Sequence, residues 1–381
     1  MPPERRHDID CLRVLAFALL VYFHAAILFI PGGLPLLQND ETSSLLKVFV
    51  NFSHQFRLSL LFFVSGIGIS FARRRRSDRS FLYERSIRLL VPLVFGIFAI
   101  VPPMVYIEKL ALGEVPADFI AFYRAFFVSG IYPDGHLSWH HLWFVAYLYL
   151  YCLLGYRLFG WLDQPSVNKW LRTRLADGRV YQFILPLFVV ELLLRHLFPG
   201  FRDLISDWAS FFHWWMILLA GYVIANHEPI VDNLLSRRRE SLMLAVIATV
   251  GLFAGFYGDE GFRLERSDPD VVFRYVAYCL VRMTMVWCWI LAIVGYGARY
   301  LRKGSPMLTY LNEAVYPFFI LHLTTTVFIG YWVISMPLGL WSKYLVITTG
   351  TIAVVLLLYH VGIRPFNSMR FLFGMKPRPR H

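Results

Sequence analysis

Two residues near the amino terminus, Arg13 and His24, have the types and the spacing to do chemistry. An imidazole titrates near neutrality, so in its neutral form it can take the proton of an attacking hydroxyl. A guanidinium is a permanent cation whose planar fork matches phosphate and carboxylate oxygens. Both lie in an otherwise apolar run from Leu12 to Ile30. A charge in hydrocarbon costs at least ~2.5–3.5 kcal/mol, so its presence asks for a function or a partner. The two residues are eleven positions apart. At ~100° per residue they fall within about 20° of each other on one helix face, roughly 16 Å apart along the axis. That face offers a fixed cation near one membrane surface and a base deeper in.

Other polar residues fall inside apolar runs. His322 is thirteen positions from the start of its run and His24 twelve from the start of its own, which puts them at similar depth. Arg282 lies mid-run, and Glu191 and Arg195, four apart, read as a helix pair. His54, His136, His140, His141, His213, Trp139 and Trp214 sit at the ends of runs, where interfacial anchoring is their ordinary use. Although the chain has 12 histidines, it has no HExxH motif and no paired ligand spacing on one helix, so no metal is expected. Its four cysteines form no CxxC pair and read as small buried apolar residues. No GxSxG elbow, P-loop or GxGxxG occurs, and Ser65, Gly66 and Gly68 read as a small-residue packing surface.

The elements that must hold these groups follow from composition. With 57% hydrophobic and 16% charged residues, the chain is too apolar for a soluble domain. Spans need ~20 apolar residues. That ruler gives about ten, near 12–30, 52–72, 87–107, 141–161, 181–198, 210–226, 241–257, 272–298, 309–334 and 341–361. The expectation is an all-α polytopic membrane protein, a single integral-membrane domain over 1–381. The first run holds Arg13 and His24 and lacks a small-x-small site, which argues against a cleaved signal peptide. The net charge of +12 is gathered in short clusters between runs, a membrane pattern and not a nucleic-acid footprint. Alternate segments, including Arg73 to Arg76, Arg237 to Arg239 and the carboxyl-terminal tail, outweigh the opposite loops in Lys and Arg about fourfold, so both termini are expected in the cytoplasm. Pro92, Pro186 and Pro317 are expected to loosen their helices.

These motifs carry a resemblance. Arg13 and His24 after Asp8, Asp10 and Leu12, followed by Phe62-Phe63-Val64-Ser65-Gly66, resemble the opening of the type 3 membrane acyltransferase family. Glu84-Arg85 with Arg88 and Pro92 resembles that family's basic start to the third span. His141-Leu142-Trp143-Phe144, and Glu313 with Tyr316, Pro317 and His322, resemble later landmarks. The ten-span layout and the ninth-span motif are similar to the branch that succinylates osmoregulated periplasmic glucans. The resemblance implies an enzyme of the bacterial inner membrane. It would move an acyl group, acetyl or succinyl, from cytoplasmic acyl-coenzyme A to a hydroxyl of a glycan outside, with acyl-coenzyme A as co-substrate and no bound cofactor.

On that reading His24 is the base and Arg13 lines the donor's path, while His322, Arg282 or a backbone donor steadies the oxyanion. Arg85 and Arg88, with Arg73 and Arg74, would take the coenzyme's phosphates. His141, Trp143, Glu313 and Tyr316 would face the acceptor. Direct transfer and a transient acyl-histidine both remain open. Two other classes use the same residues without this chemistry: a transporter or flippase for an anionic or lipid-linked substrate, and a proton-linked sensor.

Overall fold

The computed structural model describes residues 6–32, 37–74, 76–175, 179–198, 200, 203–256 and 270–378. The chain order is α1 His7–Ile27, α2 Ser44–Arg73, α3 Asp78–Phe95, α4 Val101–Ala111, α5 Phe119–Phe126, α6 Trp143–Leu162 and α7 Pro165–Leu175. It continues with α8 Ile184–Leu194, α9 Trp208–Ala225, α10 Glu228–Phe256, α11 Val271–Tyr300, α12 Pro306–Val333, α13 Leu340–Leu357 and α14 Asn367–Leu372. Among the described residues the only strand-like pairing is an isolated bridge between Ile131 and Leu137. The all-α polytopic architecture read from the sequence is the one observed.

Eight stretches are long and apolar enough to cross a membrane, among the described residues: α1, α2, α3 through α4, 140–162, α9, α11, α12, and α13 with the turn after it. The expected fifth span is shorter than the ruler required. It comprises a 3-10 turn, Arg179–Phe183, and the 11-residue α8. Pro186 stands in the first turn of α8, where its missing N–H costs no helical bond, so it marks a helix start and not a loosened middle. The expected seventh span lies in the second half of the 29-residue α10. Its last residue, 257, and most of the acidic segment 258–271 lie outside the described residues.

Two compact units form, one from residues 1–13, 54–81 and 154–305, the other from 14–53, 82–153 and 306–381. In the first unit, α2 and α9 cross backbone to backbone. A Cβ on Gly66 would sit 2.0 Å from the Leu218 carbonyl oxygen, and one on Gly221 would sit 2.1 Å from that of Phe63. Only glycine permits this reciprocal approach. The end of α2 is tied down by charge. Arg73 pairs with Asp78 at 2.9 Å and Asp163 at 3.5 Å, and the Tyr222 hydroxyl donates to Asp163 at 2.7 Å.

In the second unit a π-helical turn, Gly96–Ile100, joins α3 to α4. Pro102 has no N–H for the Phe98 carbonyl, which accepts from the Tyr123 hydroxyl of α5 at 2.8 Å. The Ile100 carbonyl accepts from Thr324 Oγ1 of α12, also at 2.8 Å. Backbone groups released by the irregular turn are thus satisfied by neighbouring helices, as burial in an apolar medium requires.

Candidate active site

In the second unit three histidines from three elements converge. His24 comes from the last turn of α1, His322 from the middle of α12, and His141 from the 3-10 turn His140–Leu142 that leads into α6. His322 is 0% exposed, His141 is buried and His24 is half-buried. The His24 and His322 rings lie 5.1 Å apart, and His141 and His322 5.2 Å apart. Phe319 packs edge-on against the His141 ring, 5.5 Å away. His141 is directed inward by its neighbour. His140 adopts φ of 40°, a left-handed conformation that costs a histidine energy, and its ring turns to Ser138 Oγ at 2.6 Å and Glu108 Oε2 at 3.2 Å.

The hydrogen bonds fix protons as well as positions. His322 Nδ1 lies 2.6 Å from the Phe319 carbonyl oxygen, which can only accept, so Nδ1 carries the proton. In a neutral ring His322 Nε2 is then an acceptor, and its partner at 3.1 Å, His24 Nδ1, must donate. The tautomer of His24 that results carries its basic lone pair on Nε2. His141 is held in the same manner, donating from Nε2 to the Ile320 carbonyl at 2.9 Å. Two adjacent carbonyls of one α12 turn thereby set the tautomers.

The remaining candidates of this unit lie apart from the histidines in role. Trp143 is 3% exposed, packed edge-on against Tyr147 at 5.2 Å. Arg88 donates to the Gly374 carbonyl at 2.9 Å and pairs with Glu84 at 3.3 Å, and Arg85 stands three positions before it. Glu313 is clasped by Arg370 at 2.7 Å and by the Tyr359 hydroxyl at 3.0 Å, with Arg364 at 3.5 Å. The Tyr316 hydroxyl is buried without a hydrogen-bond partner.

Four candidates belong to the first unit. Arg13 shares the unbroken helix α1 with His24, pairs with Asp10 at 3.6 Å, and runs past Gly68, whose added Cβ would lie 3.4 Å from its guanidinium. Arg74 donates to the Ala225 carbonyl at 2.7 Å, and Arg73 is enclosed between the rings of Phe81 and Phe159. Arg282 donates to Glu191, and to Gln55 Oε1 at 3.1 Å, while Arg195 holds Glu191 from the other side at 3.0 Å. Arg195 and Arg282 line a cavity of ≈ 220 Å³ together with His54, Ser59, His213 and Trp214. The apolar run places His54 at the start of its span, but α2 begins ten residues earlier, at Ser44, and sets it well inside the helix. Ser59, Arg370 and Glu108 were not singled out from sequence. Glu108, an acid near the end of an apolar run, carried the signal that would have marked it.

Comparison with known proteins assigns the family. The model of a family described as an acyltransferase domain matches residues 6–360. A glucans biosynthesis protein C from Escherichia coli O139:H28 (strain E24377A / ETEC) is 18% identical over 396 residues, covering 99% of this chain and 96% of its own. Proteins of the same name from Salmonella gallinarum (strain 287/91 / NCTC 13346) and Escherichia coli O81 (strain ED1a) are 20% and 21% identical, with the same coverage. No solved structure matches significantly.

Proposed function

The chain belongs to the acyltransferase family, and we propose that it moves an acyl group, acetyl or succinyl, from cytoplasmic acyl-coenzyme A to a hydroxyl of a glucan outside the membrane. The name shared by the relatives supports the glucan acceptor, and the eight apolar helices suit a multi-pass protein, here assigned to the bacterial inner membrane with both termini in the cytoplasm. The observation that carries the reading is the His24–His322 hydrogen bond, which prepares a neutral base with a fixed tautomer.

In this mechanism the acceptor hydroxyl oxygen attacks the thioester carbonyl carbon while His24 Nε2 takes the hydroxyl proton. The C–S bond then breaks, and the imidazolium returns the proton to the departing thiolate, leaving ester, free coenzyme A and neutral His24. His322 has one nitrogen on Phe319 and the other on His24, so it orients the base and steadies the imidazolium, which makes it a positioning residue. Arg13 presents a cation on the same helix as the base, toward the end from which a polyanionic donor arrives. Arg85 and Arg88 supply counter-charge for the coenzyme's phosphates, Arg88 exchanging its bonds to Gly374 and Glu84 for phosphate oxygens.

The test is transfer of radiolabelled acetyl and succinyl groups from coenzyme A to a glucose tetrasaccharide by purified protein. His24→Ala should abolish transfer while coenzyme A binding persists. If the wild-type protein neither binds nor consumes acyl-coenzyme A, the enzymatic reading fails, and net movement of an unmodified substrate would favour a transporter.

A further inference from the structure

The cavity in the first unit takes no part in the proton transfers above, and its walls describe a different ligand. It lies among α2, α8, α9 and α11. At ≈ 220 Å³ it is small for a coenzyme and adequate for one sugar ring. Its charged walls are paired: Arg195 and Arg282 both meet the fully buried Glu191, and Asp207, outside the lining, lies 4.0 Å from Arg195. An anion here would lie beside the Glu191 carboxylate, which already holds both guanidinium groups, so the ligand that fits is neutral. Fixed donors and fixed acceptors on the same walls call for a ligand able to satisfy both.

His213 narrows the choice. The residue is 5% exposed, its Nε2 meets Ser59 Oγ at 3.0 Å, and its Nδ1 has no hydrogen-bond partner. Depending on which way the serine hydroxyl rotates, Nδ1 is a donor or an acceptor, and an alcohol answers either need. Trp214 adds a flat wall, its orientation set by stacking on Phe62 at 5.4 Å and 22°. In the topology expected from the basic loops, the wall residues sit between the middle and the outward end of their helices.

We propose that this cavity binds a neutral sugar ring of the acceptor, with Glu191, the two arginines, Ser59 and His213 on its hydroxyls and Trp214 against its face. The assignment rests on the glucan acceptor proposed above. Its test is the acceptor's kinetic constant in the full-length protein. His213→Leu should raise KM for a glucose tetrasaccharide about three- to tenfold, the loss of one net hydrogen bond. KM for acyl-coenzyme A should stay unchanged, and His213→Gln should recover part of the effect. Leu58→Trp fills the cavity from α2 without removing a polar group and should raise the same constant. It serves as the readout if the histidine variants fail to fold. An acceptor KM that is unmoved by all three overturns the assignment and leaves the acyltransferase reading standing. If the wild-type protein transfers nothing, calorimetric titration with the tetrasaccharide decides: binding that Leu58→Trp abolishes supports the sugar site. Absence of binding, or binding of succinate in its place, refutes it.

Discussion

Two imidazoles at hydrogen-bond distance share protons, and which nitrogen is left basic depends on what anchors the outer one. Here the anchor is the backbone oxygen of Phe319, three residues before His322 on the same helix. His322→Phe keeps a ring in the site and removes the acceptor for His24 Nδ1. We expect kcat to fall by about 10²–10⁴ with both KM values little changed. The acidic limb of the pH profile of kcat/KM should also be displaced, which a loss of packing alone does not do, and His322→Gln should restore part of the rate. Arg13, His24, His322 and Arg282 were legible in the sequence because a polar group in an apolar run stands out. Their roles were less so. That Arg282 is neutralised by Glu191 and that His322 has both nitrogens engaged depend on contacts across 91 and 298 positions, which no local pattern encodes.

At the scale of elements, runs of apolar residues predicted where helices stand, and small residues predicted where they touch. The small-residue surface around Ser65 and Gly66 is the α2 side of the crossing with α9, and Gly68 makes room for Arg13. A side chain at Gly221 would enter the space of the Phe63 carbonyl, which belongs to a rigid helix and cannot move aside. Gly221→Leu should therefore yield no monodisperse protein in detergent. Gly221→Ala should lower the unfolding midpoint, whereas Gly255→Ala, with nothing within 4 Å, should leave it unchanged. The elements that the sequence read poorly are those set by partners. The π-turn before α4 depends on side chains donated from elsewhere, Tyr123 and Thr324, and the 11-residue α8 falls short of a ruler of ~20 apolar residues.

For the whole molecule, stability carries a pH signature that lies outside the apolar helices. His227, in the short link between α9 and α10, is 1% exposed, and burial, with the charge of Arg172, lowers its pKa from 6.5 to about 4. Its contribution is complete above pH 6.5. Between 6.5 and about 4 the unfolded chain takes up a proton that the folded one refuses, so acidification through that window destabilises the fold, and the loss levels off below it. Thermal midpoints measured across this range should fall for the wild-type protein and fall less for His227→Gln. The carboxyl-terminal clasp has a consequence of another kind. The family match stops at residue 360, yet Arg370, the closest cation on Glu313, comes from α14 beyond that limit. A fragment trimmed at residue 360 would retain the acid and discard its counter-ion, so the end of the family-model match is not a place at which this chain can be cut.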